Sequence, residues 1–410
     1  MSSIPPVPAS PPPPSSTIAI CGGGIGGLAT ALALRQAGFT PVVFERQQPQ
    51  QLRDEGLFLT LAPNGCNALR ALGLADNVMA VGLPTRALAI FNEAGKRLAL
   101  VDYADHAASY GAGSITLRRG ALAGLLLDAA LEAGIAIRHG AGIKDIAQDA
   151  DGVMLTVNGE QQRFALALAC DGLRSLVRQR IFPDLPQPRY SGLIGTGGFT
   201  EAPGVPDTNG VMNMVFGRRG FFGYIKQGDG PVYWFNSYPA PENETGPVSD
   251  GVAYAGKLAA MHQGDSLDTM AILAATPRLD RHYPIYDMPE LPRWSSGRVL
   301  LTGDAAHAVA PHSGQGASLA IEDGVVLAAC LAAASDHATA FARFEQLRRQ
   351  RVQKAIAIGR AVGTQKQAQS WLALRLRDLM LPLFMPMGAR MQEKLYAFRA
   401  DRTPLAQPVQ

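Results

Sequence analysis

Short apolar runs broken by glycine-rich turns set the pattern at the start of this chain. Thr17-Ile18-Ala19-Ile20-Cys21 and Pro41-Val42-Val43-Phe44 are apolar at nearly every position. Such runs predict strands covered on both faces, as in a parallel sheet. Between them Gly22-Gly23-Gly24-Ile25-Gly26-Gly27 opens into Leu28-Ala29-Thr30-Ala31-Leu32-Ala33-Leu34, which reads as a helix. Residues 46–55 are polar and read as a loop. A helical pattern from Gly65 to Leu72 stops at Gly73, a residue suited to the left-handed turn after a helix. Leu88-Ala89-Ile90-Phe91 and Arg97-Leu98-Ala99-Leu100 flank Asn92-Glu93-Ala94-Gly95 as a hairpin. Ile115-Thr116-Leu117 leads into a helix over 120–133 with Leu122, Leu125, Leu126 and Ala129 on one face. Ile135-Ala136-Ile137 and residues 165–169 add buried strands, with tight turns at Asp151-Gly152 and Asn158-Gly159.

From about Pro183 the pattern changes. Val211-Met212-Asn213-Met214-Val215-Phe216, Phe221-Phe222-Gly223-Tyr224-Ile225 and Val232-Tyr233-Trp234-Phe235-Asn236 are separated by turn residues and predict an antiparallel meander. Arg298-Val299-Leu300-Leu301-Thr302 returns to the parallel type, a long helix follows over 317–334, and the pattern stays helical to about 400. The expected class is α/β. A Rossmann-type dinucleotide-binding domain (17–182 and 281–355) carries an inserted antiparallel substrate domain (183–280, helped by 76–104). A helical C-terminal region (356–410) follows, and a Pro-rich disordered leader (1–16) precedes.

Composition narrows this. The 410 residues are 47% hydrophobic and 17% charged, enough for a large core. A net charge of +3 without a basic run argues against nucleic acid. Cys21, Cys66, Cys170 and Cys330 form no C-x-x-C pair and read as reduced thiols of a cytoplasmic protein. No uncharged apolar window reaches about 18 residues, so no transmembrane helix is expected. The apolar stretch 379–389 is short and holds Pro382 and Pro386.

Gly22, Gly24 and Gly27 have the spacing G-x-G-x-x-G, directly after a strand and before a helix. That context suits a pyrophosphate: a tight turn, a close backbone approach and a helix N-terminus. Glu45, with Arg46 beside it, ends the second strand at the distance expected for a ribose acceptor. An acidic residue there favours a free 2′-hydroxyl, as in FAD or NAD. Asp304 lies between a strand and a helix, where its carboxylate suits a ribityl hydroxyl or an N-cap. Gly314, Gln315 and Gly316 precede the long helix, whose dipole favours negative charge. His307 reads as structural, His312 as the histidine nearer a bound flavin, and Asp280-Arg281-His282 lacks metal-ligand spacing.

Three segments in order carry a family resemblance: the glycine turn with Glu45; Asp171-Gly172-Leu173-Arg174-Ser175-Leu176-Val177-Arg178; and Gly303-Asp304-Ala305-Ala306-His307 followed by Pro311-His312-Ser313-Gly314-Gln315-Gly316. Pro63-Asn64 and Arg119-Gly120-Ala121-Leu122 add to it. Together they resemble the group A flavoprotein monooxygenases of the para-hydroxybenzoate hydroxylase type. The resemblance implies FAD as cofactor, NADPH or NADH as transient co-substrate, and oxygen transfer from O2 through a flavin C4a-hydroperoxide. It also implies cofactor roles for Arg119, Asp171, Gly172, Asp304 and the 314–316 turn; for Arg178, a cofactor role and a structural Asp–Arg pairing stay open. The substrate is an aromatic or other electron-rich small molecule, hydroxylated or epoxidised by a monomer or homodimer. Pro311, His312 and Tyr224 are catalytic candidates. Met212, Met214, Phe222, Tyr224, Trp234 and Asn236 are candidates for either the substrate pocket or the sheet core. No histidine stands on the strand at 221–225 to ionise a phenol. A reductase or halogenase-like enzyme on the same scaffold, or a flavin-binding redox sensor without turnover, are the alternatives; the halogenase W-x-W-x-I-P signature is absent.

Overall fold

The computed structural model describes residues 17–366 and 370–402; the leader expected at 1–16 lies outside them. The first sheet has six strands in the order Ser295–Ser296, Val299–Leu301, Leu166–Ala169, Thr17–Cys21, Thr40–Phe44, Ala136–Arg138. All its ladders are parallel except the first. Thr17–Cys21 is buried throughout, as its unbroken apolar run requires. The Ile25–Gln36 helix crosses against the Gly316–Ala333 helix, and Gly324 is the contact: a Cβ there would stand 2.8 Å from the Thr30 backbone nitrogen. Gly316–Ala333 is long and apolar enough to cross a membrane, yet 56% of it is buried in the protein. It carries Glu322 and Asp323 inward, both fully buried.

A second sheet has seven strands in the order Tyr283–Asp287, Arg189–Thr200, Val232–Pro239, Phe221–Ile225, Val211–Phe216, Ala87–Asn92, Arg97–Asp102. The meander and the hairpin thus join edge to edge, through a parallel pairing of Val211–Phe216 with Ala87–Asn92. Strand alternation sorts the side chains onto two faces. One face packs Val215, Phe222, Tyr224 and Trp234 against Ala255 and Leu258 of the Gly251–Met261 helix and Ile272 and Leu273 of the Leu267–Ala274 helix. The other face carries Met214, Phe216, Phe221 and Phe235 with Ile90.

One local expectation changes. Residues 46–55 are not all loop: Pro49–Asp54 is a short helix, started by a capping box between Gln48 and Gln51 with Pro49 in its first turn. The apolar stretch at 379–389 lies within the Trp371–Tyr396 helix. Its Leu381 packs on Phe216 and Phe221 of the second sheet.

Candidate active site

The glycine turn is built by exclusion. Gly22 has φ +108°, and a Cβ there would come within 2.4 Å of the Cys170 carbonyl oxygen. A Cβ at Gly27 would stand 1.9 Å from the Gly22 carbonyl oxygen. At Gly24 nothing lies within 4 Å, so the turn is open to a ligand at that point. No side chain caps the helix that follows, which leaves its first-turn N–H groups for an anion. The Glu45 carboxylate is held beside it: Oε2 accepts from the Gly23 N–H at 2.6 Å and Oε1 from the Gln47 N–H at 2.8 Å. Each oxygen retains a lone pair for a hydroxyl. Arg46 is exposed next to it.

Asp304 does not cap its own helix, because Gly303 occupies the cap position and no side-chain cap bond forms. Its carboxylate opens to solvent, yet protein crowds it enough that lost hydration raises its carboxyl above the usual range, against the pull of His307 and Arg119. Arg119 is exposed at the start of the Arg119–Glu132 helix, 3.7 Å from Glu55. Asp171 accepts from the Val177 N–H at 3.1 Å through Oδ2, while its Oδ1 is buried without a partner. Gly172 beside it has φ +79° and open space around it. Arg178 resolves to a brace: buried, it donates to the carbonyls of Ala305 at 2.8 Å and Leu173 at 2.6 Å. It ties the Asp171 segment to the Asp304 segment through its two terminal nitrogens, while its Nε is buried without a partner.

Behind these loops sits an ionic cluster, fully buried at Arg348, Glu322 and Asp323. Arg348 Nε donates to Asp323 at 2.7 Å and its Nη1 to Glu322 at 2.5 Å. Arg351 donates to both Glu322 oxygens at 2.7 and 2.8 Å. His307 Nε2 lies 2.6 Å from Asp323 Oδ2, which also accepts the Gly303 N–H at 2.9 Å. His307 therefore anchors the Asp304 turn, as its structural reading expects. Asn64 donates to Glu322 at 2.5 Å and to Gln315 Oε1 at 3.0 Å, so the Pro63-Asn64 pair fixes the 311–316 loop. In that loop Gly314 is left-handed (φ +62°), Gln315 is buried, and Gly316 begins the long helix without a side-chain cap. Pro311 opens the loop's short 3-10 turn and is exposed. His312 is half-buried; its Nδ1 lies 3.1 Å from the Lys366 Nζ and its Nε2 is buried without a partner. Burial and the Lys366 charge push His312 down to about 2, so the ring is neutral.

Strand alternation divides the six pocket candidates. Met212 and Met214 point to the face that carries Phe221 and Phe235, where Phe58 packs on Phe235 and the Lys366 amine lies on Phe221. Phe222, Tyr224, Trp234 and Asn236 point the other way and are corrected to core. Trp234 is fully buried, stacks on Phe222 at 5.3 Å and donates to Thr200 at 2.8 Å. Burial, together with the hydrogen bond its hydroxyl donates to Asp268 at 2.6 Å, holds the Tyr224 phenol well above the ordinary tyrosine range. Asn236 donates to the Phe221 carbonyl at 3.0 Å and lies 2.6 Å from His262, itself 2.7 Å from Asp265. What the sequence reading missed is the aromatic facing: Phe58 packs on Phe199, Tyr233 and Phe235 at 5.7–6.5 Å, and Arg118 lies 4.2 Å over the Phe199 ring. The alternation signal was present in the sequence, but not which face the helices cover. Lys366 was also missed, and no local signal marks it.

The open glycine turn, the crowded but unbonded Asp304 and the orphaned Asp171 oxygen fit a dinucleotide lying along the carboxyl ends of the parallel strands. A family model for an FAD binding domain matches residues 15–214 and 284–358. Aurachin C monooxygenase/isomerase of Stigmatella aurantiaca is 30% identical over 89% of this chain and 93% of that protein. The 3-amino-4-hydroxybenzoate 2-monooxygenase PtmB3 of Streptomyces platensis is 32% identical over 89% of this chain and 92% of its own. The crystal structure of Klebsiella pneumoniae HpxO with FAD and uric acid superposes with a TM-score of 0.83 at 25% identity, covering 95% of this chain and 98% of that one. The fold and these relatives define a flavoprotein oxidoreductase. This chain belongs to the family of single-component FAD-dependent aromatic monooxygenases. It is an enzyme, FAD is its cofactor, and NAD(P)H use is typical of its family.

Proposed function

We propose that this enzyme hydroxylates a small aromatic substrate held between the 311–316 loop and the aromatic face of the seven-stranded sheet. The observation that carries this is the junction of loop and sheet at Lys366, whose amine lies 3.1 Å from His312 Nδ1 and 3.6 Å from the Phe221 ring centroid, with Phe235, Met212 and Met214 on the same sheet face as Phe221. In this reading Gly22, Gly24, Gly27 and the following helix N-terminus hold the FAD pyrophosphate. Glu45 and Arg46 flank the adenosine ribose, and Asp304, Arg119, Asp171 and Gly172 hold the remainder. In the 314–316 turn the Gly314 N–H is taken by the Pro311 carbonyl and the Gln315 N–H by Ser313, so the Gly316 N–H and the helix N-terminus it opens are what favour negative charge on the ring system. FAD supplies hydride acceptance from NAD(P)H and the activation of O2; the protein supplies orientation and a dry pocket. Relatives that act on aurachin C and 3-amino-4-hydroxybenzoate support an aromatic substrate. Four free cysteines support a reducing, cytoplasmic setting.

The test is anaerobic mixing of the FAD-loaded protein with NADH or NADPH, alone and with phenols, quinolones, purines and terpenoid alkenes, following loss of the flavin band. Bleaching that one aromatic class accelerates, followed in air by a product carrying one atom from O2, is the expected result. Bleaching indifferent to every aromatic refutes the substrate reading.

A further inference from the structure

Lys366 lies one residue beyond the His337–Gln365 helix, where that helix, the 311–316 loop and the aromatic sheet face meet. Its side chain turns inward and is buried. The amine lies 3.6 Å from the Phe221 ring centroid, 5.8 Å from that of Phe235 and 3.1 Å from His312 Nδ1. Gly363 permits this approach, since a Cβ there would already stand 3.0 Å from the His312 ring. Buried lysines are ordinarily paired with a carboxylate. Among the described residues no carboxylate pairs with Lys366. From the loop it faces a neutral imidazole, and from the sheet two uncharged rings. Beside it the second His312 nitrogen is buried without a partner. The site thus has an amine without a counter-anion and a ring nitrogen without a bond, on the face that also carries Met214 and Phe235.

We propose that Lys366, positioned by His312, receives the acidic hydroxyl or lactam N–H of the aromatic substrate and binds it as its anion; this rests on the aromatic-substrate reading above. In the step the substrate O–H or lactam N–H bond breaks, its electron pair stays on that oxygen or nitrogen, and the proton bonds to the neutral amine at Nζ. An ammonium then faces the anion, supported by the Phe221 ring. Burial draws Lys366 down to about 7, so the neutral amine is available near neutral pH. The ionised substrate is richer in electrons, as oxygen transfer to an aromatic ring requires. Lys366 thus fills the place of the base that the strand at 221–225 does not supply.

The probe is a panel of nitrophenols and hydroxycoumarins, whose anions absorb at longer wavelength than the neutral forms. Each is titrated into the FAD-loaded full chain at a pH where the free phenol is mostly protonated. The expected result is an anion band on binding to the wild type. Lys366→Met should keep its FAD and its unfolding midpoint, lose the band, and bind the phenol at least about tenfold more weakly. If Lys366→Met does not retain FAD, Lys366→Gln takes its place. No anion band with any phenol, or an undiminished band in the variant, overturns the proposal. A Lys366-dependent band without any aromatic stimulation of NAD(P)H oxidation would instead sink the substrate reading and leave the anion site standing.

Discussion

Replacing Arg348 with Met tests the buried cluster behind the flavin-facing loops. The side chain is fully buried and donates to Glu322, Asp323 and the Leu319 carbonyl. Met fills much of the volume but leaves Asp323 Oδ1 without its donor. Glu322 keeps Arg351 and Asn64, and Asp323 keeps His307 and the Gly303 N–H, so the loss is partial. Breaking a buried pair from one side costs about 3–5 kcal/mol, and the retained partners place this case near about 3. Against a total of about 5–15 kcal/mol that is a large share, and in a chain of 410 residues it lowers the midpoint by roughly 3–4 °C. The pH dependence has a definite sign. Burial alone would raise the Asp323 carboxyl, but the charges of His307 and Arg348 and its hydrogen bonds hold it at about 2 against an ordinary 3.8. A depressed folded value gives stability that is complete above the unfolded value and lost as the pH falls toward the folded one. The gap between wild type and variant should therefore narrow as the pH falls from 3.8 toward about 2. Urea melts followed by tryptophan fluorescence across that range measure it. A neutral-pH loss below about 1 kcal/mol, or a gap that widens with acid, refutes the assignment.

Three further outcomes follow from the site. Asp304→Ala should purify with much less FAD at unchanged stability of the FAD-free protein; full flavin occupancy would remove Asp304 from the cofactor. Gly27→Ala should lose both FAD and stability, because its Cβ meets the Gly22 carbonyl, whereas Gly24→Ala meets no protein atom and should lose FAD affinity alone. Equal unfolding midpoints for these two variants would contradict the packing described. Tyr224→Phe should keep its rate of product formation within about twofold while losing about 1 kcal/mol of stability with the Asp268 bond. A tenfold fall in rate, on the order of 1.4 kcal/mol, would return Tyr224 to the site.

The parallel sheet was legible because its evidence is local. Thr17–Cys21 is buried throughout and nearly all apolar, and Gly22, Gly24 and Gly27 stand within six residues of one another directly after it, so strand and turn are visible in one short segment. His307 was legible for a similar reason, since it lies in a segment with a strong pattern of its own. The pocket was not. Alternation says that Phe222 and Tyr224 share a face, but only the packing of the Gly251–Met261 and Leu267–Ala274 helices says that this face is covered. Lys366 is the extreme case. It stands at the end of a polar helix, and its meaning comes from Phe221 and His312, which lie far away in the chain. Gln48 is a weak capping residue, so the Pro49–Asp54 helix left little trace in a polar stretch.

The parallel seam between Ala87–Asn92 and Val211–Phe216 also governs how the molecule is made. A ribosome releases the first of these strands long before the second. Until then Ala87–Asn92 has only its hairpin partner, and its other edge is an unpaired row of backbone donors and acceptors. Closing the seam requires a long loop to be gathered first, which slows folding. The segment inside that loop includes Leu166–Ala169, itself a member of the other sheet. The two sheets are therefore interlocked in the order of synthesis, and neither can be cut from the chain as a contiguous piece free of the other's strands.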